Sequence, residues 1–223
     1  MMSKILVPTN GAEGWRALLA DPIKHWKIGY SAYATAQCWE AANGFPREIA
    51  DILGSYAELL LAIPEHKVAL PGGSRESQCD VFALGRTGDE TIAISVEGKV
   101  DEPFGPTIQE WLHNPSDGKI KRLKWICEIL GQQYPPQHQL RYQLFHRTAA
   151  AVAEAHRFKT DHAAMIVHSF SQEHRWFEDF SRFCELFGVK AKRGARHHVN
   201  LPDGQQLILG WATGDERFLS EVF

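Results

Sequence analysis

Two acidic residues are spaced so that a β-hairpin would bring their side chains together. Residues 79–99, CDVFALGRTGDETIAISVEGK, contain two runs rich in Val, Ile, Phe and Thr on either side of Gly88-Asp89. A Gly-Asp pair suits a two-residue hairpin loop. With these two residues in the loop, the antiparallel register places Asp80 directly opposite Glu97, with their Cβ atoms about 5 Å apart. The spacing therefore predicts two carboxylates that face each other across neighbouring strands.

A positive charge is expected beside this pair. Side chains alternate along a strand, so Lys99 shares the face that holds Asp80 and Glu97, while Ile94 and Val96 point the other way. Facing carboxylates repel each other and are seldom buried unless they are paired or bind a metal. Mg²⁺ or Mn²⁺ prefers oxygen ligands, with water and phosphate completing the shell. Either a divalent cation or Lys99 would relieve this repulsion, so the pattern is consistent with a metal site and with an acid–lysine pair that only stabilises the hairpin.

The order of these residues is similar to a known nuclease signature. Asp80, followed by Glu97-Gly98-Lys99 on the next strand, resembles the D…(D/E)xK signature of the PD-(D/E)XK nuclease superfamily, which has the restriction-endonuclease-like fold. Within it, the phrases LPGGSRESQCDVFAL and VEGKVDEPFGPT resemble a small family of uncharacterised bacterial proteins. The resemblance is strongest over residues 70–107, and Cys79 stands where the superfamily usually has proline.

This resemblance implies an activity, a cofactor and a substrate class. Asp80 and Glu97 would hold Mg²⁺ or Mn²⁺, and Lys99 would help to position or activate an attacking water. The reaction would be phosphodiester hydrolysis in DNA or RNA. Many members of the superfamily dimerise, so a homodimer is left open.

Four further residues are candidates for the site by the same resemblance. Superfamily nucleases usually add a glutamate from a helix that precedes the sheet, and Glu40 is favoured narrowly over Glu58 for this role. They also bring polar or basic residues to the active site from a helix after the hairpin. Gln143 and Arg147 lie four residues apart in such a predicted helix, so they share one side of it.

Hydrophobic periodicity and turn signals predict an α/β (α+β) protein. The predicted helices are 31–42, 46–63 with Gly54 as a break point, 119–130, 140–158 and 176–187. The predicted strands are 66–70 as the first core strand, the hairpin, 163–167, and a pair around Pro202-Asp203-Gly204. This order matches the restriction-endonuclease-like αβββαβ core, a mixed central sheet flanked by helices, with an added N-terminal segment and C-terminal strands. We expect a single domain over 1–223, with its core at about 31–187.

Composition limits the function classes. A formal net charge of −3 argues against a surface that binds nucleic acid through bulk charge, although a local basic patch stays open. The four widely spaced cysteines are expected to be reduced and buried, and the eleven histidines, including His197-His198, to lie mainly at the surface. No run approaches the eighteen apolar residues of a membrane span and no secretory signal is evident, so we expect a cytoplasmic protein with no membrane segment.

Two functions are consistent with these patterns. The first is a metal-dependent nuclease with Asp80, Glu97 and Lys99 at its centre. The second is a catalytically inactive binding or regulatory protein that keeps the nuclease-like fold, because a fold alone does not set a function. The acidic face of the hairpin favours the first, and the negative net charge favours the second.

Overall fold

The computed structural model describes residues 11–54 and 56–221, which contain a mixed six-stranded sheet with helices on both faces. The helices are α1 Pro22–His25, α2 Ser31–Ala42, α3 Arg47–Leu53, α4 Ile108–Trp111, α5 Asp117–Ile129, α6 Tyr142–Phe158 and α7 Phe177–Glu185, with 3₁₀ turns at Ala12–Leu18 and Glu216–Leu219. The strands are β1 Ala57–Pro64, β2 Lys67–Val68, β3 Ser77–Gln78, β4 Val81–Thr87, β5 Glu90–Lys99, β6 His162–Ser169, β7 Arg196–Asn200 and β8 Gln206–Thr213. The predicted α/β class and mixed sheet flanked by helices are confirmed.

The sheet has the strand order β1-β4-β5-β6-β8-β7, and β2 pairs with β3 in a separate two-stranded sheet. The pairs β1–β4, β4–β5 and β7–β8 are antiparallel, whereas β5–β6 and β6–β8 are parallel. Parallel neighbours need a crossover connection, and α6, which packs against both β5 and β6, is part of it. Helices cover both faces of the central strands, so β6 is buried along its whole length.

The hairpin has the register predicted from its loop. Thr87 pairs with Glu90 at one end and Val81 pairs with Val96 at the other, so the next position along the hairpin is that of Asp80 and Glu97. Alternate residues divide between two hydrophobic clusters: Phe82 and Ala93 lie in one, and Ile92, Ile94 and Val96 in the other. Helix α6 packs against the first face of the sheet, and α2 and α3 pack against the second. Helix α6 therefore covers the polar end of the hairpin, where Glu97 and Lys99 are largely buried.

The predicted helix over 46–63 is wrong in its second half. Helix α3 ends at Leu53, and Gly54 follows with a φ of +112°, a conformation that favours glycine. The segment AELLLAIP then forms strand β1, antiparallel to β4 at the edge of the sheet. Periodicity cannot separate a short apolar strand from a helical segment, and in this chain the pairing with β4 decides between them.

The prediction that residues 66–70 form the first core strand is also wrong. Glu65 has a φ of +53° and turns the chain away from the end of β1. Only Lys67–Val68 is a strand, and it pairs with Ser77–Gln78 in the small sheet. The first strand of the main sheet is β1.

Several other predictions from the sequence are confirmed. Helices α5, α6 and α7, strand β6 and the C-terminal hairpin of β7 and β8 all form close to the predicted positions. The cysteines are free thiols and all are buried. Within residues 11–54 and 56–221, no helix is both long enough and apolar enough to cross a membrane.

Candidate active site

A buried carboxylate, Glu97, lies at the centre of the candidate site. Glu97 and Lys99 come at the end of β5, and each is only 4% exposed. Lys99 Nζ donates to Glu97 Oε1 at 2.8 Å, Gln143 Nε2 donates to the same oxygen at 2.6 Å, and Arg147 Nε donates to Oε2 at 2.5 Å. Because Gln143 and Arg147 are one turn apart on α6, that helix fixes the position of Glu97 from above the sheet.

The surroundings of Glu97 keep it charged. Burial acts to raise its pKa, but the positive charges of Arg147 and Lys99 outweigh burial and leave the pKa below its usual value. The pKa of Lys99 is likewise raised: burial opposes its charge, but the negative charges of Glu97 and Asp80 outweigh that effect. The site therefore contains a fixed carboxylate beside a fixed ammonium group.

Asp80 precedes β4 and reaches the same place from the neighbouring strand. Its Oδ2 accepts a hydrogen bond of 2.6 Å from the backbone N–H of Gly98. In the part of the chain that the structure describes, its other oxygen has no hydrogen-bond partner. Burial, followed by the negative charge of Glu97, raises the pKa of Asp80 to about 7. Asp80 therefore keeps its proton to a higher pH than an exposed aspartate does.

A third carboxyl group, Glu65, belongs to the site and was not predicted. Its backbone N–H donates to Asp80 O at 2.9 Å, and its Oε2 accepts a 2.7 Å hydrogen bond from Gln78 Nε2. Burial and the charge of Asp80 raise the pKa of Glu65 to about 9. Pro64 pairs with Val81 at the end of β1 and β4, so the next residues along the two strands, Glu65 and Asp80, lie side by side. That signal was missed because β1 was predicted as a helix.

These groups line a cavity of about 610 Å³. Glu65, Asp80, Glu97, Lys99, Gln143 and Arg147 form part of its wall. Lys24 and Lys27, from α1 and the segment after it, also line the cavity. The cavity therefore combines a cluster of carboxyl groups with a cationic rim, which suits a ligand that carries both a divalent metal and phosphate groups.

The two helix glutamates proposed from the sequence lie away from this cavity. Glu40 is on α2 as predicted, but its Oε1 accepts a hydrogen bond of 2.7 Å from Trp15 Nε1, and it does not line the cavity. Glu58 is on strand β1 and not on a helix, with its side chain 48% exposed and 2.8 Å from Arg86. The prediction that Glu58 comes from a helix was wrong because β1 is a strand. Gln143 and Arg147, in contrast, both contact Glu97 directly.

The carboxyl groups suit a divalent cation by charge and by ligand type. The negative charge of Glu97 helps to raise the pKa of Asp80, and the charge of Asp80 helps to raise the pKa of Glu65, so a cation among these groups would relieve their repulsion. Among the described residues, only Cys38, Glu48 and His168 bring three potential metal-ligand atoms within 4.8 Å of one another, so the carboxyl cluster does not offer three close ligands. Asp80 and Glu97 would supply two carboxylates, which is sufficient for Mg²⁺ when water and substrate complete its shell.

Comparison with known proteins places the chain in one family. Residues 8–216 match the family described as "Domain of unknown function (DUF6946)". No curated protein and no solved structure matches the chain. The match spans nearly the whole sequence, and it includes every residue of the candidate site. The chain therefore belongs to the DUF6946 family.

Proposed function

We propose that the chain is a metal-dependent phosphodiesterase of the nuclease type, built on a restriction-endonuclease-like core. The observation that carries this proposal is the convergence of Asp80, Glu97 and Lys99 on one cavity, in the hairpin register expected for the D…(D/E)xK signature. A cross-strand pair that only stabilised the hairpin would not need the additional donors, half-buried Gln143 and buried Arg147.

Asp80 and Glu97 are the residues that would hold the metal. A divalent cation bound there would activate a water and neutralise the charge that develops on the phosphate. Lys99 remains an ammonium group because its pKa is raised, so it supplies fixed positive charge and does not accept the proton of the water. Gln143 and Arg147 hold the Glu97 carboxylate in one orientation.

The cationic rim suggests how a nucleic-acid substrate would be held. Lys24 and Lys27 line the same cavity as the carboxyl groups. Their charge is local, since the whole chain carries a formal net charge of −3. We infer that the backbone of DNA or RNA is attracted at the mouth of this cavity, where its phosphates would meet these lysines.

A specific observation favours a second function. Both oxygens of Glu97 already accept hydrogen bonds from buried groups, and protons on Asp80 and Glu65 relieve the remaining repulsion. The cluster can therefore be satisfied without a metal. This supports the alternative of a catalytically inactive binding or regulatory protein with the same fold.

Nuclease assays separate these two functions. The purified chain is incubated with single- and double-stranded DNA and RNA in Mg²⁺ or Mn²⁺, beside Lys99→Ala and Lys99→Met. We expect cleavage by the wild type and a loss of roughly 100-fold or more in both variants, because each removes a fixed charge from the reaction centre. Arg86→Ala, on the exposed side of the same hairpin, is the control and should cleave normally.

Two results would contradict the proposed chemistry. Absence of cleavage of every substrate in both metals would favour the inactive binding protein. Cleavage that persists in both Lys99 variants, with circular dichroism showing that they are folded, would rule out the role assigned to Lys99.

A further inference from the structure

A second group of potential metal ligands lies on the opposite face of the sheet from Glu97. His168 Nε2 is 2.7 Å from Glu48 Oε1, and Cys38 Sγ donates to the same oxygen at 3.7 Å. One ligand atom from each of the three residues lies within 4.8 Å of the others. Cys38 is 3% exposed and His168 is fully buried, so the cluster is largely shielded from water.

Three elements that are separate in sequence build this cluster. Cys38 lies on α2, Glu48 in the first turn of α3, and His168 near the end of β6. His168 pairs with Gly98 across the β5–β6 ladder, and paired residues point to the same face. Its side chain therefore projects from the face opposite to that of Glu97, towards α2 and α3.

We propose that Cys38, Glu48 and His168 form a binding site for a divalent transition metal, with Zn²⁺ as the expected ion. This site is separate from the carboxylate site and does not depend on the proposed nuclease activity. A sulfur, an imidazole nitrogen and a carboxylate oxygen together are a ligand set typical of zinc, whereas Mg²⁺ prefers oxygen alone.

The distances within the cluster are close to those of tetrahedral zinc, and one of them must lengthen. With a Zn–S bond of about 2.3 Å and Zn–N and Zn–O bonds of about 2.1 Å, neighbouring ligand atoms lie about 3.3–3.7 Å apart. The separation between Cys38 Sγ and Glu48 Oε1 is already 3.7 Å. The separation between His168 Nε2 and Glu48 Oε1 is 2.7 Å, so this hydrogen-bonded pair must open by roughly 0.7 Å. Glu48 can accommodate that shift because its side chain is 22% exposed.

The charges also match a divalent ion. A thiolate from Cys38 and a carboxylate from Glu48 supply two negative charges, and a neutral His168 supplies none. The complex with Zn²⁺ is therefore electrically neutral, which lowers the cost of placing the ion in a buried site. The thiol of Cys38 loses its proton to solvent when the Zn–S bond forms, because the thiolate is the ligand.

A cavity gives the ion a route to the site and leaves room for a fourth ligand. Cys38 and Glu48 line a surface cavity of about 400 Å³, together with Asp215 and Arg217. Three protein ligands with an open fourth position are typical of zinc sites that bind water. His168 Nδ1 has no hydrogen-bond partner among the described residues. A hydrogen-bond partner on the second ring nitrogen of a ligating histidine contributes about 10–100-fold to metal affinity. Because His168 lacks this partner in the described part of the chain, we expect the ion to bind exchangeably and not permanently.

Titration of the apo protein with Co²⁺ tests the proposal, because a cobalt–thiolate bond gives a charge-transfer absorption band that oxygen and nitrogen ligands do not produce. We expect the band to saturate at about one Co²⁺ per chain and to disappear when Zn²⁺ is added. Proton release measured in weakly buffered solution should accompany the titration. Cobalt bound by Asp80 and Glu97 would not produce this band, since those ligands carry no sulfur.

Cysteine variants identify the ligand. Cys38→Ser should abolish the band, while Cys79→Ser and Cys184→Ser, which alter other buried thiols, should retain it. His168→Ala should weaken cobalt binding at least about tenfold. The proposal is overturned if the wild-type chain gives no thiolate band, or if the band persists in Cys38→Ser. Absence of the band in the wild type overturns the proposal even if a variant fails to fold.

Discussion

Neutralising Asp80 should stabilise the metal-free protein at alkaline pH. Burial and the charge of Glu97 raise the pKa of Asp80 from 3.8 to about 7. The folded state therefore binds its proton more tightly than the unfolded state does, so stability falls as the pH rises from about 4 to about 7 and stays low above that range. Asp80→Asn removes the charge but keeps an oxygen that can accept the Gly98 N–H.

The size of the effect follows from this difference in pKa. At about 1.4 kcal/mol per pH unit, a rise from 3.8 to about 7 corresponds to roughly 4 kcal/mol at pH 8. Asp80 lines a cavity, where water screens part of the repulsion. We therefore expect Asp80→Asn to raise the free energy of unfolding by about 2–4 kcal/mol at pH 8 and by less than about 1 kcal/mol at pH 4.

Urea unfolding in EDTA at the two pH values measures this gain. Asp89→Asn, an exposed change in the loop of the same hairpin, is the control and should alter stability by less than about 0.5 kcal/mol. A variant that is less stable than the wild type at pH 8, or equally stabilised at both pH values, would refute the electrostatic reasoning. Adding Mg²⁺ at pH 8 should stabilise the wild type but not Asp80→Asn. If Mg²⁺ does not stabilise the wild type, the metal site is contradicted, whereas the electrostatic reasoning is unaffected.

Four further substitutions test packing and charge at the site and on the neighbouring strand β1. Gly98→Ala should cost about 1–3 kcal/mol, because the added methyl would lie 2.3 Å from Thr35 Oγ1. Thr35→Ala removes that oxygen, so a double-mutant cycle in urea should recover much of the cost. Arg147→Met should cost about 3 kcal/mol at pH 7, because Glu97 loses a buried partner. This loss of stability should become smaller at acid pH, because a protonated Glu97 no longer needs the charge of Arg147. Arg147 lowers the pKa of Glu97 in the wild type. Glu58→Gln should change stability by less than about 1 kcal/mol and leave any cleavage unchanged, because its ion pair is exposed.

Each of these expectations can fail independently. Additive costs in the Gly98 and Thr35 cycle would show that the two residues do not compete for the same space. A loss in Arg147→Met that is independent of pH would indicate lost packing and not lost charge compensation. A cleavage defect in Glu58→Gln would show that Glu58 takes part in the reaction after all.

The hairpin and its acidic face could be predicted from the sequence because they depend on local chain geometry. A two-residue loop at Gly88-Asp89 fixes the pairing of every residue on either side, so the relation of Asp80 to Glu97 follows from counting. The division of alternate residues between two faces follows from the same geometry. The long apolar stripe of α6 is likewise a local pattern, which is why its position was predicted closely.

Long-range packing decided the rest. The segment AELLLAIP suits a helix or a strand by composition, and only its pairing with β4 makes it β1, removes Glu58 from the site and brings Glu65 beside Asp80. Glu48 and His168 are 120 residues apart, and no spacing rule connects them. Side chains that meet across different elements depend on how those elements pack, and the sequence of one element does not encode its distance from another. The sequence by itself thus determined the acidic hairpin, and the tertiary structure decided which other groups surround it.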